Sequence, residues 1–362
     1  MEKELFALLR LGLGTSKAED ENLSDFIMMP ASRWAQMGEV AQEQGVLGVM
    51  LDGIDCLEAS GYGATRELSK DLKLEWIGNV LKGYEARNQH QLAVIDDLQK
   101  KWAEAGLRMM VMKGQATATY YPKPMHRCPG DIDCYLFDGY EKGNETAKSF
   151  SDKVNEGWYK HSVISYDGET IENHQFFVHT REGKNSKCLN QVLCETLKAA
   201  SFETFHGTGV LLPPPMFNAL FLTYHAQAHF LEEGLKLKQL LDWAMFLKKD
   251  GDKVDWPEFF SICEKYHLRR FAEVANDIAA HYLGVKLGNP QILTDSPFTD
   301  KVIQSTFYDR DYVFGSGKGG WANRWHIVKN LFKYRWKYKE IYQRSLFWQL
   351  WWYAIGFVFK TE

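Results

Sequence analysis

The sequence has no CxxC pair. Its six cysteines, Cys56, Cys128, Cys134, Cys188, Cys194 and Cys263, are scattered along 362 residues, without the clustered spacing of a zinc site. A chain of this length can build its core without crosslinks, so reduced thiols are expected. An excess of positive charge is also lacking: 43 Lys and Arg against 47 Asp and Glu give a formal net charge of -4. That removes the bulk electrostatic reason to bind nucleic acid and leaves only local basic patches. The start, "MEKELFALLRLGLGTS", is charged at once and has no long apolar core or small-residue cleavage site. It reads as a cytosolic helix. Internal repeats and low-complexity tracts are missing as well.

What the chain does have is an ordinary globular composition, 45% hydrophobic and 25% charged, with a high aromatic share of 14% that includes 12 tryptophans. Many aromatics crowd the end. The run from Leu346 to Phe359 contains Gln349 and is shorter than the roughly 20 residues of a membrane-spanning helix. Two readings stay open for it. It packs onto the protein as a terminal helix, or it lies in a membrane interface with Lys333, Arg335, Lys337 and Lys339 near acidic lipids. The expected location is cytoplasmic, with peripheral membrane contact as the second reading.

Along the chain, residues 1 to about 60 read as short helices, followed by a long helix over approximately 67–105 broken near Gly78 or Gly83. Then the pattern changes. "LRMMVMKG" is a short apolar run, as expected of a strand covered on both faces, and "QATATYY" a short helix stopped by Pro122 and Pro124. "DIDCYLF" is a second strand and "NETAKSFSDKVNEGW" suggests a helix. "YKHSVISYDGETIENHQFFVHT" predicts two strands joined at Asp-Gly. After "LLPPP" the pattern is helical, with a break near Gly234 and Asp255 as an N-cap. The expected layout is an N-terminal helical region (1–105), a small α+β core (106–210) and a helical C-terminal part (211–362).

Chemistry concentrates in the core. Strand side chains alternate, so Asp131 and Asp133 share a face. Two carboxylates so placed repel unless a cation lies between them, and Mg2+ takes such oxygens together with phosphate. The same DxD also occurs in solvated strand ends. Gly114 ends one strand and opens a helix, where backbone can approach an anion; a tight turn that simply needs glycine reads the same way. A third carboxylate belongs on a neighbouring strand, and Glu172 on the return strand of the hairpin is the candidate, unless it is an exposed edge residue. His174 shares its face, either to orient Glu172 or as a structural histidine. Asp242 stands in an apolar helix and needs a partner, either Lys238 one turn earlier or the cleft.

Taken together, "MKG", "RCPGDID" and "IENH" resemble the uncharacterised nucleotidyltransferase family of the DNA polymerase β-like superfamily. The resemblance extends to "LKQLLDWAMFL" and "VDWPEF" in the helical half. It implies a mixed sheet with helices, flanked by helical regions, and transfer of a nucleoside monophosphate from an NTP to a hydroxyl. Asp131, Asp133 and Glu172 match the metal-binding acids for Mg2+ or Mn2+, and Gly114 the phosphate turn. Gln115 stands where that superfamily has a small residue, often Ser, and "YPKPMHRCP" lengthens the segment before the acids. Gln115, Lys113 and Arg127 are then the candidate phosphate contacts, with structural pairing as the other reading for Arg127. The acceptor (protein, peptide, sugar or small molecule) and the choice of base are open, ATP included, and nucleic acid is the least attractive partner. The rival reading is a catalytically inactive member that binds nucleotide or acts as a regulatory module.

Overall fold

The computed structural model describes residues 1–232, 234–288, 296–309, 329–330 and 332–342. The aromatic run Leu346 to Phe359 lies outside them, and so do both readings made for it. Among the described residues no helix is long and apolar enough to cross a membrane.

Helices α1 (Glu2–Gly12), α2 (Ser24–Ile27), α3 (Ala31–Glu43) and α4 (Leu47–Ala59) precede a long rod made of α5 (Lys70–Val80) and α6 (Ala86–Glu104). The break expected near Gly78 or Gly83 is a single π-helical turn, Leu81–Glu85, so the rod is bulged rather than interrupted. The α+β segment follows as β1 (Met109–Met112), α7 (Gly114–Ala118), β2 (Ile132–Leu136), α8 (Tyr140–Ala147), β3 (Lys153–Asn155), β4 (His161–Tyr166) and β5 (Glu169–His174). Helices α9 (Lys184–Lys198), α10 (Pro215–Glu232), α11 (Leu237–Asp250), α12 (Trp256–Lys265), α13 (Arg269–Asp277), α14 (Ser296–Tyr308) and α15 (Arg335–Tyr342) complete the described chain. Asp255 caps α12 by accepting from Glu258 N at 3.0 Å.

The expected helix over 144–158 is only partly present. The Ser149 and Ser151 hydroxyls bond back to the carbonyls of Thr146 and Ala147 and close the helix. The residues beyond it pair with β4 as edge strand β3.

The sheet order is β1-β2-β5-β4-β3. β2 and β5 run parallel and the remaining neighbours are antiparallel. Asp167 and Gly168 both take positive φ between β4 and β5, the geometry of a two-residue hairpin turn. Because β5 is central, Glu172 is not an edge residue. One sheet face, with Val111, Ile132, Cys134, Ile164 and Ile171, packs on Val94, Ile95, Leu98 and Trp102 of α6 and on Ala147 of α8. On the other face, Met110 and Met112 join the larger core formed by the flanking helices, from Leu5 and Trp34 to Phe217, Phe246 and Phe271. Apolar burial of this kind supplies the main driving force for folding, and it leaves only one part of the second face to polar side chains.

Candidate active site

That part of the sheet holds the acids. Register places Asp133 beside Glu172 across the parallel β2–β5 pair, and His161 beside His174 across β4–β5. Paired residues project to the same side, as do residues two apart, so Asp131, Asp133, Glu172, His174 and His161 share one face. Together with Lys113, Gly114, Lys160, Lys236 and Lys238, all of these except the fully buried His174 line a cleft of about 660 Å³ between the sheet and helices α10 and α11, within the rough 300–1,000 Å³ span of ligand sites.

The three acids stand in different surroundings. Asp131 makes no hydrogen bond or ion pair with any described residue. Partial burial and the charges of Glu172 and Asp133 raise its carboxyl above the ordinary aspartate value, against the pull of Arg87 and Lys113. Asp133 is buried, and its Oδ1 forms an ion pair with Lys113 Nζ at 2.7 Å and lies 3.0 Å from His174 Nε2, while Oδ2 makes no hydrogen bond to a described residue. Burial works to raise the Glu172 carboxyl, but His161 and His174 at 3.0 and 3.4 Å, helped by Lys113, hold it well below the usual range.

Lys113 occupies a backbone conformation rare for a side chain, with φ 42° and ψ −149°, of the strained kind that clusters at functional sites. Gly114 follows with φ 38°, and a Cβ there would lie 3.4 Å from the carbonyl oxygen of Asp131. The turn therefore presses directly on the strand end that presents the acids. Lys113 Nζ also lies 3.0 Å from His225 Nε2. Full burial, and then the charge of Lys113, push His225 well below its ordinary value, so it is neutral and accepts from the ammonium.

Gln115 does not reach the cleft. Its amide donates to Asn88 Oδ1 at 2.7 Å and Gln91 Oε1 at 2.9 Å, inside the protein. Asn88 in turn donates to the carbonyls of Met125 and Arg127, and Gln91 to the carbonyl of Gly130 and to Glu169. The long side chain thus ties α7 to α6, and α6 to the segment that leads into Asp131. Gln115→Ser is expected to cost roughly 1–3 kcal/mol in urea unfolding, because the buried carbonyl oxygens of Asn88 and Gln91 lose their donor.

Arg127 and Asp242 are brought together, and each answers the other's need for a partner. Arg127 Nε and Nη2 donate to Asp242 Oδ1 and Oδ2 at 2.8 and 2.7 Å, and Tyr121 Oη donates to Oδ1 at 2.7 Å. Asp242 therefore pairs with Arg127 rather than Lys238. The fork of Arg127 is engaged within the protein, and both Arg127 and Asp242 line the cleft. The inserted "YPKPMHRCP" segment is further fixed by Lys123 and His126 on Asp52 of α4 and by His126 on Glu85. Gly48 makes that approach possible, since a Cβ there would fall 2.3 Å from the His126 carbonyl oxygen. Lys238, by contrast, keeps an ammonium with no hydrogen bond or ion pair to a described residue. It lies 3.9 Å from where a Gly130 Cβ would sit, and burial, then Arg127, lower its pKa.

A family model described as an uncharacterised nucleotidyltransferase matches residues 30–284. The chain belongs to that family. The matched stretch contains every acid, lysine and histidine named above as lining the cleft. No curated protein and no solved structure matches the chain. Membership in the nucleotidyltransferase family supports nucleotidyl transfer as the general activity. Sequence reasoning missed His161 and the pair His225 and His229, and read Lys238 only as a partner for Asp242. Signals for two of these existed: the two-residue Asp167–Gly168 turn sets His161 opposite His174, and an i, i+4 spacing puts His225 and His229 on one helix face.

Proposed function

We propose that the protein is a metal-dependent nucleotidyltransferase that moves a nucleoside monophosphate from an NTP to a hydroxyl of an acceptor. The observation that carries this reading is the register: Asp133 sits beside Glu172 on parallel neighbouring strands, with Asp131 two residues away on the same face and without a protein partner. Free carboxylate oxygens at Asp131 and at Asp133 Oδ2 suit a hard divalent ion, so these two residues would hold Mg2+ or Mn2+. Such an ion would supply positive charge to offset what develops on the reacting phosphate and the leaving group.

The chain's own groups do the rest. The acceptor hydroxyl oxygen attacks the α-phosphorus as its proton passes to water in the cleft, the bond to the bridging oxygen breaks and pyrophosphate leaves. Lys238 and Lys236 face the same cleft as the acids and match the triphosphate in charge. Gly114 lets the main chain come close to it. Lys113 holds Asp133 in place through Oδ1. Glu172, beside Asp133 on the neighbouring strand, supplies negative charge to the same face. Positioning and electrostatics then provide most of the rate.

The direct test is incubation of the full chain with each labelled NTP and Mg2+ or Mn2+. Label appearing on the protein or on a lysate component, or exchanging with pyrophosphate, is the expected result. Absence of both metal-dependent NTP binding and label transfer overturns the reading. Lys238→Met is expected to raise the KM for NTP by about tenfold to a hundredfold, the loss of a charge-assisted contact, with kcat little changed. Its folding stability should not fall. A lysine whose folded pKa is lowered binds its proton less tightly when folded, so the charged form costs stability below its unfolded pKa and the neutral side chain removes that cost.

A further inference from the structure

We propose that His161, Glu172 and His174 form a second cation site, one that selects a borderline metal such as Zn2+ over Mg2+. The proposal deepens the reading above and rests on it only for the role of the bound metal in transfer. The ligand atoms of the three residues lie within 4.8 Å of one another, each on a register position of the same sheet face. Two imidazoles and one carboxylate make a mixed nitrogen and oxygen set. Zn2+ accepts imidazole, whereas Mg2+ is reluctant to exchange water for nitrogen.

The histidines are arranged for it. His174 is fully buried, and the acceptor 3.2 Å from its Nδ1 is the Phe176 carbonyl. A carbonyl can only accept, so Nδ1 carries the proton. The ring Nε2 points at Asp133 Oδ1, 3.0 Å away, and Glu172 Oε2, 3.4 Å away. A backbone carbonyl on the remote nitrogen is also the usual outer support of a metal-bound histidine. His161 supplies an independent sign. Its Nδ1 is buried and makes no hydrogen bond, although Glu172 Oε2 is 3.0 Å away off the hydrogen-bond line. Such an orphaned buried nitrogen is rare without a ligand. The protein-only alternative is an imidazolium at His174 that satisfies both acids by itself.

Isothermal titration of the metal-stripped full chain, without nucleotide, separates the two. The expected result is one equivalent of Zn2+ bound at least about a hundredfold tighter than Mg2+. His161→Ala should weaken Zn2+ by about tenfold to a hundredfold, and Asp131→Asn should leave it within about twofold. Zn2+ binding no tighter than Mg2+, or unaffected by His161→Ala, overturns the site and leaves the imidazolium. Should His161→Ala not fold, Co2+ absorption on the wild-type chain decides. Intense visible bands of four-coordinate Co2+ support the site, and the weak bands of a six-coordinate octahedral ion overturn it. Failure of the transfer reading looks different: Zn2+ binds but no label moves. Conversely, transfer with Mg2+ in a chain that binds no Zn2+ removes this site alone.

Discussion

Asp131→Asn is expected to lower nucleotidyl transfer by about 10²–10³-fold, the scale of losing one preorganised electrostatic group, while the protein melts at the same temperature or slightly higher. The two halves of this expectation have a common cause. Asp131 has no partner of its own, and its carboxyl is raised by burial and by the neighbouring acids. A carboxyl raised on folding binds its proton more tightly in the folded state. Its ionised form therefore costs stability at pH values above the raised pKa, and the cost disappears in acid. Asparagine keeps the shape and removes the cost together with the metal ligand. Thermal melts with and without Mg2+ and NTP check both parts: the ligands should stabilise the wild type by mass action and the variant much less. A variant that loses stability but keeps transfer would remove Asp131 from the site.

The second large effect is on folding. Asp242→Ala is expected to cost about 3–5 kcal/mol, the penalty of leaving a buried charge without its partner. Both members of the pair are buried, and Asp242 also takes the Tyr121 hydroxyl, so the loss orphans two groups at once. The double variant Arg127→Met with Asp242→Leu should recover much of that loss, because removing a buried pair with retained volume is often close to neutral. Urea unfolding of the single and double variants gives the comparison. An Asp242→Ala variant with an unchanged midpoint would show that the pair contributes nothing. Transfer by the folded double variant should still be reduced, since Arg127 lies in the segment that feeds into β2 and the pair fixes that segment to α11.

The parts of this fold that were legible from sequence were the local ones. Alternation on "DIDCYLF" placed Asp131 and Asp133 on one face, and Asp167–Gly168 fixed the hairpin with Glu172 and His174 on its return strand. The parallel pairing of β2 with β5, which sets Glu172 next to Asp133, involves strands far apart in the chain and leaves no local periodic trace. Arg127 and Asp242 meet across 115 positions, while the i, i+4 rule pointed Asp242 to Lys238. Gln115 was read through the small residue that occupies its place in related folds. Only the tertiary structure reveals that its length reaches across to Asn88 and Gln91. β3 escaped because three residues with one half-buried side chain are too few to express an alternation.

The π-turn at Leu81–Glu85 divides the loyalties of the rod that contains it. Trp76, Val80 and Tyr84 belong to the core of the flanking helices, whereas Val94, Ile95, Leu98 and Trp102 belong to the core beneath the sheet. Each residue of an α-helix turns the next by about 100°, so the extra residue of the bulge works as a phase shifter between two apolar stripes. Without it, either Trp76 or Leu98 would point the wrong way, and Arg87, Asn88 and Gln91 would rotate off the segment they hold. The orientation of Asp131 is thus geared to the residue count of a helix on the far side of the sheet.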